Sequence, residues 1–126
     1  RWNKIVISAT QQSGRGELLK IHELTTFSNA LKSANLNQKN WCLFAYEGQT
    51  QAPVSVEINR LKTQNACLPD NIYILVGSEG GFSTQEVAQI QQLGLNPVTL
   101  GQQILRVETA CLTLVSVLKY EFGLMK

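Results

Sequence analysis

Two short stretches of this sequence carry residue types that can hold or transform a small molecule. The first is Gly77-Ser78-Glu79-Gly80-Gly81-Phe82, in which glycines surround a single carboxylate. Glycines let backbone amides approach a ligand closely, and a helix N-terminus beside them adds a positive dipole. Glu79 is a charge inside a loop, which packing alone explains poorly. The second stretch runs from Gly101 to Thr109 and sets Arg106 and Glu108 beside the apolar Ile104 and Leu105. Apolar loop residues either plug a core or wall a pocket for a flat, neutral group such as adenine. Shape alone also allows the glycine loop to be a tight strand-to-helix turn that needs positive φ.

Other site chemistries are poorly served. A P-loop needs a Gly-Lys pair and none occurs; the Gly-x-Gly-x-x-Gly spacing of a dinucleotide fingerprint is missing from the loop. His22 is the only histidine, and it stands beside Glu23 without triad context, so it reads as a surface or turn residue. The cysteines Cys42, Cys67 and Cys111 are odd in number and widely spaced, with no Cys-x-x-Cys pair. That pattern suits neither a disulfide framework nor a zinc site, so no metal is expected and a cytosolic origin is the natural reading. Cys42 and Cys111 lie in apolar runs and are expected in the core.

The elements that must position the two loops follow from periodicity. Ile72–Val76, rich in β-branched and aromatic residues, is a strand leading into the glycine loop. Ser83 and Glu86 have capping-box spacing, which starts a helix through Val87, Ile90 and Leu93 to a stop at Gly94. Pro97–Leu100 is a short strand, and Glu108–Phe122 a long helix with Ala110, Leu114, Val117, Leu118 and Phe122 inward. Upstream, Trp41–Tyr46 is a continuous apolar run suited to a strand buried on both faces. Trp2–Gln12 reads as an amphipathic helix with Trp2, Ile5, Val6 and Ala9 on one side, ended by Gly14-Arg15-Gly16. Leu18–Ile21 is a short extended piece. Thr25 or Thr26 caps a helix through Phe27, Ala30, Leu31 and Ala34. Gln49–Pro53 is a loop, and Val54–Lys62 a helix. Strands alternating with helices give an α/β fold with a parallel sheet, and both candidate loops fall at its carboxyl edge, where such folds bind ligands.

Composition bounds the rest. A length of 126 residues, 44% of them hydrophobic, suits one domain with one real core. Charged residues make up only 16%, which excludes a disordered chain. No apolar run is long enough to span a membrane. A net charge of +2 does not by itself indicate a nucleic-acid partner. The start at Arg1-Trp2-Asn3-Lys4, without Met or a signal pattern, reads as a piece of something longer.

At the two loops the sequence resembles a known family. Val76-Gly77-Ser78-Glu79-Gly80-Gly81-Phe82-Ser83 followed by Glu86 is similar to the Gly-Pro-Glu-Gly-Gly-Phe-Ser loop of the RsmE-type 16S ribosomal RNA uridine-N3 methyltransferases. Leu100-Gly101-Gln102-Gln103-Ile104-Leu105-Arg106-Val107-Glu108-Thr109-Ala110 is similar to their Leu-Gly-x-x-Ile-Leu-Arg-x-Glu-Thr-Ala motif. Arg1-Trp2-x-Lys4-Ile5 with Gln12-Ser13-x-Arg15 resembles a third segment at the right distance. Ser78 replaces the family's usual Pro, and Gln103 stands where a basic residue is common.

The resemblance implies a SPOUT fold, an α/β methyltransferase class with a deep C-terminal trefoil knot, helices on both sheet faces and homodimeric assembly. It implies S-adenosyl-L-methionine bound through Val76, Gly77, Glu79, Gly80, Gly81, Leu100, Gly101, Ile104, Leu105 and Thr109. It implies a cytoplasmic enzyme acting on 16S ribosomal RNA in the small subunit, with Arg106 and Glu108 at the reacting atoms and Arg15 and Arg106 toward RNA. Arg106 would stabilise negative charge on the uracil carbonyls. Glu108 would orient Arg106, accept a proton or, as a first-turn acid, complement the helix dipole. Arg15 would contact a phosphate or simply end its helix. Glu79 would chiefly hold its loop. The family also has an N-terminal PUA-like RNA-binding domain and a first strand and helix of the methyltransferase domain, which are expected to be missing from residues 1–126. A fragment that dimerises and binds S-adenosylmethionine without methylating RNA is the alternative reading.

Overall fold

The apolar run at the centre of the sequence forms the centre of the sheet. The structure is a computed structural model that describes residues 2–13, 18–46, 52–65, 67–78, 80–101 and 105–124. Its helices are α1 (Trp2–Ser13), α2 (Phe27–Ala34), α3 (Val54–Gln64), α4 (Thr84–Gln92) and α5 (Val107–Glu121). Its strands are β1 (Asn40–Ala45), β2 (Ala52–Pro53), β3 (Asn71–Val76) and β4 (Pro97–Thr99). The sheet has the order β2-β4-β1-β3, and every pairing is parallel. β1 runs beside β3 from Asn40↔Asn71 to Ala45↔Val76, and beside β4 at Phe44↔Pro97 and Ala45↔Val98.

Because side chains alternate along a strand, β1 feeds two cores. Trp41 and Leu43 point to one face, where they pack with Ile58 and Leu61 of α3, Val98, and Leu114 and Leu118 of α5. Cys42 and Phe44 point to the other, with Ile90 of α4, Leu95, and Phe27 and Leu31 of α2. Helices therefore cover both faces, and β1 is buried on each side, as its unbroken hydrophobicity implies.

Local signals set the helix ends. Thr26, not Thr25, caps α2, its hydroxyl accepting from the Asn29 N–H at 3.2 Å. Asn35 closes α2 in the left-handed region at φ 48°. The Ser83–Glu86 capping box forms in both directions, 3.1 Å from the Glu86 N–H to Ser83 Oγ and 2.9 Å from the Ser83 N–H to Glu86 Oε1. On α5 the inward stripe is as expected: Ala110, Leu114 and Leu118 are buried, and Val117 and Phe122 pack half-buried beside them.

Four details depart from the sequence expectation. Pro53 and Ala52, read as loop, pair with β4 as the short strand β2; two residues carry no periodicity to detect. On α1 Val6 is buried while Ile5 and Ala9 are exposed, and the Trp2 side chain lies outside the described residues, so among the described side chains of the expected face one of three is buried. Leu18–Ile21 forms no strand, and its apolar side chains lie exposed. Cys111 is half-buried rather than in the core.

Among the described residues one charged side chain is buried, and it is hydrogen-bonded. Glu57 of α3 is 1% exposed; its carboxylate accepts from Arg60 Nε and, at 2.7 Å, from Arg60 Nη2, and the Asn96 N–H points at it from 3.4 Å. Arg60 also donates to the Gly94 carbonyl at 3.3 Å. The pair thus pins α3 to the turn that enters β4. The hydrogen bond to Glu57 raises the Arg60 guanidinium above its ordinary value, outweighing the opposing effect of desolvation.

Candidate active site

The three longer strands end side by side, and the chain leaving them encloses a cleft of about 730 Å³. That volume lies within the range that small-molecule sites occupy. The floor comes from the strand ends, Ala45 and Tyr46 after β1, Val76 at the end of β3, and Val98 in β4. One wall is the glycine loop, Gly77, Ser78 and Gly80 to Phe82. The other is Leu100 with Leu105 to Glu108, and Ala110 closes its base. This is the carboxyl edge of a parallel sheet, the place where such folds bind ligands.

The glycine wall is folded back on itself. The Gly81 N–H donates to the Ser78 carbonyl at 2.8 Å, closing a tight turn, and Gly81 sits at φ 76°, a conformation that favours glycine. Gly77 lies directly under this turn: a Cβ built there would stand 3.0 Å from the Gly81 carbonyl carbon and 3.1 Å from the Phe82 nitrogen. The fold of the loop therefore requires glycine at both positions. Phe82 then turns inward. Its ring meets Phe44 edge-on at 6.2 Å and Phe27 at 6.0 Å between centroids.

The opposite wall ends in the start of α5. Arg106 is the N-cap, with φ −66° and ψ 157°, and its carbonyl accepts from the Ala110 N–H at 2.8 Å. Its side chain does not cap the helix. Arg106 and Glu108 are both exposed at the cleft, so a cation and an anion stand together at a helix start, where the dipole is positive. Among the described residues no group of histidine, cysteine and carboxylate side chains is placed to hold a metal ion. No helix among them is long and apolar enough to cross a membrane.

Similarity to known proteins gives this geometry a context. The RNA methyltransferase domain family matches residues 1–119. The chain belongs to that family. It is 35% identical over 126 residues to ribosomal RNA small subunit methyltransferase E of Buchnera aphidicola subsp. Schizaphis graminum, covering 97% of this chain and 45% of the relative. With the enzyme of the same name from Bacillus subtilis it shares 30% identity over 128 residues, covering 100% and 48%. Among solved structures, ribosomal RNA small subunit methyltransferase E from Neisseria gonorrhoeae, bound to S-adenosyl methionine, superposes with a TM-score of 0.74. The two are 28% identical, over 95% of this chain and 46% of that one. The chain spans about half the length of the curated relatives it matches.

For this RNA methyltransferase domain, the structure gathers most of the residues singled out from sequence. Val76, Gly77, Gly80, Gly81, Leu100, Leu105, Arg106 and Glu108 all line the cleft. Gly101 and Thr109 do not. Gly101 is exposed at φ 135°, where its N–H donates to Thr99 Oγ1 at 3.3 Å and its carbonyl accepts from the same hydroxyl at 2.7 Å. Thr109 is one helical step past Glu108 and faces solvent, its carbonyl accepting from the Thr113 hydroxyl. Glu79, Ile104 and Arg15 lie outside the described residues. Sequence reasoning missed Tyr46 and Ala45. The signal that finds them is strand order: once β1 is known to lie between β3 and β4, its carboxyl end must open into the same cleft.

Proposed function

We propose that this domain binds S-adenosyl-L-methionine in the cleft and methylates N3 of a uridine in 16S ribosomal RNA. The observation that carries the reading is the facing of two walls, Gly77, Ser78 and Gly80 to Phe82 on one side and Leu100 with Leu105 to Glu108 on the other, across one apolar-floored cleft. The lining residues suit the cofactor. Exposed backbone around Gly80 and Gly81 offers hydrogen-bonding groups, and Val76, Leu100 and Leu105 offer apolar contacts for an adenine ring. Two relatives' structures, including the one from Neisseria gonorrhoeae, hold S-adenosyl methionine. When bound, the sulfonium supplies an already activated methyl group.

The tasks left to the chain are orientation and charge. The walls must hold the uracil ring so that N3 is in line with the methyl, an effect of position rather than of covalent chemistry. N3 must lose its proton, and negative charge then spreads onto the uracil carbonyls. The Arg106 guanidinium, standing at the rim beside the α5 N-terminus, stabilises that charge. Glu108, two residues on, orients Arg106 or accepts the proton. In this reading the chain assembles as a homodimer, the segment from Leu100 to Thr109 is part of a trefoil knot, and Arg15 meets an RNA phosphate.

The test is methylation of small ribosomal subunits with labelled donor by an enzyme carrying this chain, followed by nucleoside analysis of the product. Label in 3-methyluridine supports the reading. Label in another nucleoside, or binding of donor without transfer, rejects it.

A further inference from the structure

We infer that Phe27 is a positioning residue for the cofactor loop, acting through Phe82; this rests on the reading that the glycine loop holds the cofactor. A loop with glycine at positions 77, 80 and 81 loses much conformational freedom when it is ordered, so something outside it must hold it. Among the described residues its own turn contributes one closing hydrogen bond, from the Gly81 N–H to the Ser78 carbonyl. The neighbouring residue Phe82 supplies the anchor. Its ring lines the cleft and is half-buried between two other rings. Phe44, on one side, is completely buried in β1 and cannot move without the sheet. Phe27, on the other, is the first residue of α2 and stands outside the cleft.

The position of Phe27 is itself set twice. Thr26 caps the helix immediately before it, and the Gln89 side chain of α4 donates to Ser28 Oγ at 3.1 Å immediately after it. α4 begins at the Ser83 cap, directly after Phe82. The chain from Phe82 into α4 and the start of α2 are therefore clamped together at two points, the ring pair and the Gln89–Ser28 bond. Loss of the ring pair leaves Phe82 one wall short and lets the glycine turn shift relative to the strand ends. Aromatic pairs contribute enough to move an equilibrium roughly three- to ten-fold.

The experiment compares S-adenosylhomocysteine affinity by calorimetry with the urea midpoint, for the wild type, Phe27→Ala, Phe27→Leu, Phe27→Tyr and Val117→Ala. Val117 is half-buried on the opposite face of the sheet and does not line the cleft. Phe27→Ala is expected to weaken binding roughly three- to ten-fold. Phe27→Leu, which keeps apolar volume, still weakens it, while Phe27→Tyr, which keeps the ring, restores it. Val117→Ala lowers the urea midpoint and leaves affinity unchanged. Wild-type affinity in folded Phe27→Leu, or an equal loss in Val117→Ala, overturns the inference. A wild-type protein that does not bind S-adenosylhomocysteine instead overturns the reading on which it rests.

Discussion

Gly77 and Gly81 are packed back to back: a single added carbon on Gly77 would lie 3.0 Å from the carbonyl carbon of Gly81. Backbone on both sides of that contact leaves no flexible side chain to yield. Gly77→Ala therefore must open the turn, at a cost of about 1–3 kcal/mol. Gly80→Ala is the control, since its nearest neighbour is the Ser78 hydroxyl at 4.0 Å. Urea unfolding should place Gly80→Ala within about 0.5 kcal/mol of the wild type. Equal midpoints for the two variants would contradict the packing described.

Glu57 is expected to matter for stability and not for chemistry, because its carboxylate meets Arg60 and the Asn96 N–H rather than the cleft. Glu57→Gln keeps the shape but loses the charge-assisted bonds, and should cost about 1–3 kcal/mol. Ligand affinity, measured by calorimetry below the unfolding temperature, should stay at the wild-type value.

How much of the fold is legible in the sequence depends on how local each signal is. The Ser83–Glu86 box and the α5 stripe were readable because each is closed within a few residues. The run Trp41–Phe44 announced a strand covered on both faces, since every position along it is apolar. Pairings between distant segments were not readable. β2 exists only because β4 lies beside it, and Tyr46 joins the site only because β1 lies between β3 and β4. The period of α1 identified a face without saying what would cover it, and Ile5 is left 47% exposed. The placement of Arg106 and Glu108 at the cleft agrees with the expectation from type and motif. Thr109 was not separable from Glu108, because helix phase decides which of two adjacent residues meets the cleft.

The cysteines should separate cleanly by reactivity. Burial pushes the Cys42 thiol up to about 12, whereas Cys67 is exposed. A thiol reagent at mildly alkaline pH should label Cys67 rapidly and Cys42 only after denaturant. The same shift sets a pH dependence. Between the ordinary value of 9.0 and about 12, the unfolded chain releases the Cys42 proton and the folded chain keeps it. This contribution to stability therefore falls as pH rises through that window, by up to about 1.4 kcal/mol per pH unit. The stability advantage of wild type over Cys42→Ala, from urea unfolding, should shrink above the lower value.

Arg106 divides binding from transfer. Its backbone begins α5 while its side chain, which does not cap the helix, is exposed at the rim. In an enzyme carrying this chain, Arg106→Ala should lower methylation by about 100-fold or more while changing cofactor affinity by less than about three-fold. Parallel rate and affinity measurements decide this, and equal losses in both would remove Arg106 from the substrate side.

We propose that the cleft between the glycine loop and the start of α5 is a site for S-adenosylmethionine. Calorimetric titration of the domain with S-adenosylhomocysteine, beside ATP and beside the Gly77→Ala variant, tests it most directly. Saturable binding of S-adenosylhomocysteine, little heat from ATP, and loss of binding in Gly77→Ala are the predicted results. Binding of ATP in preference, or unchanged S-adenosylhomocysteine binding in Gly77→Ala, would contradict the assignment.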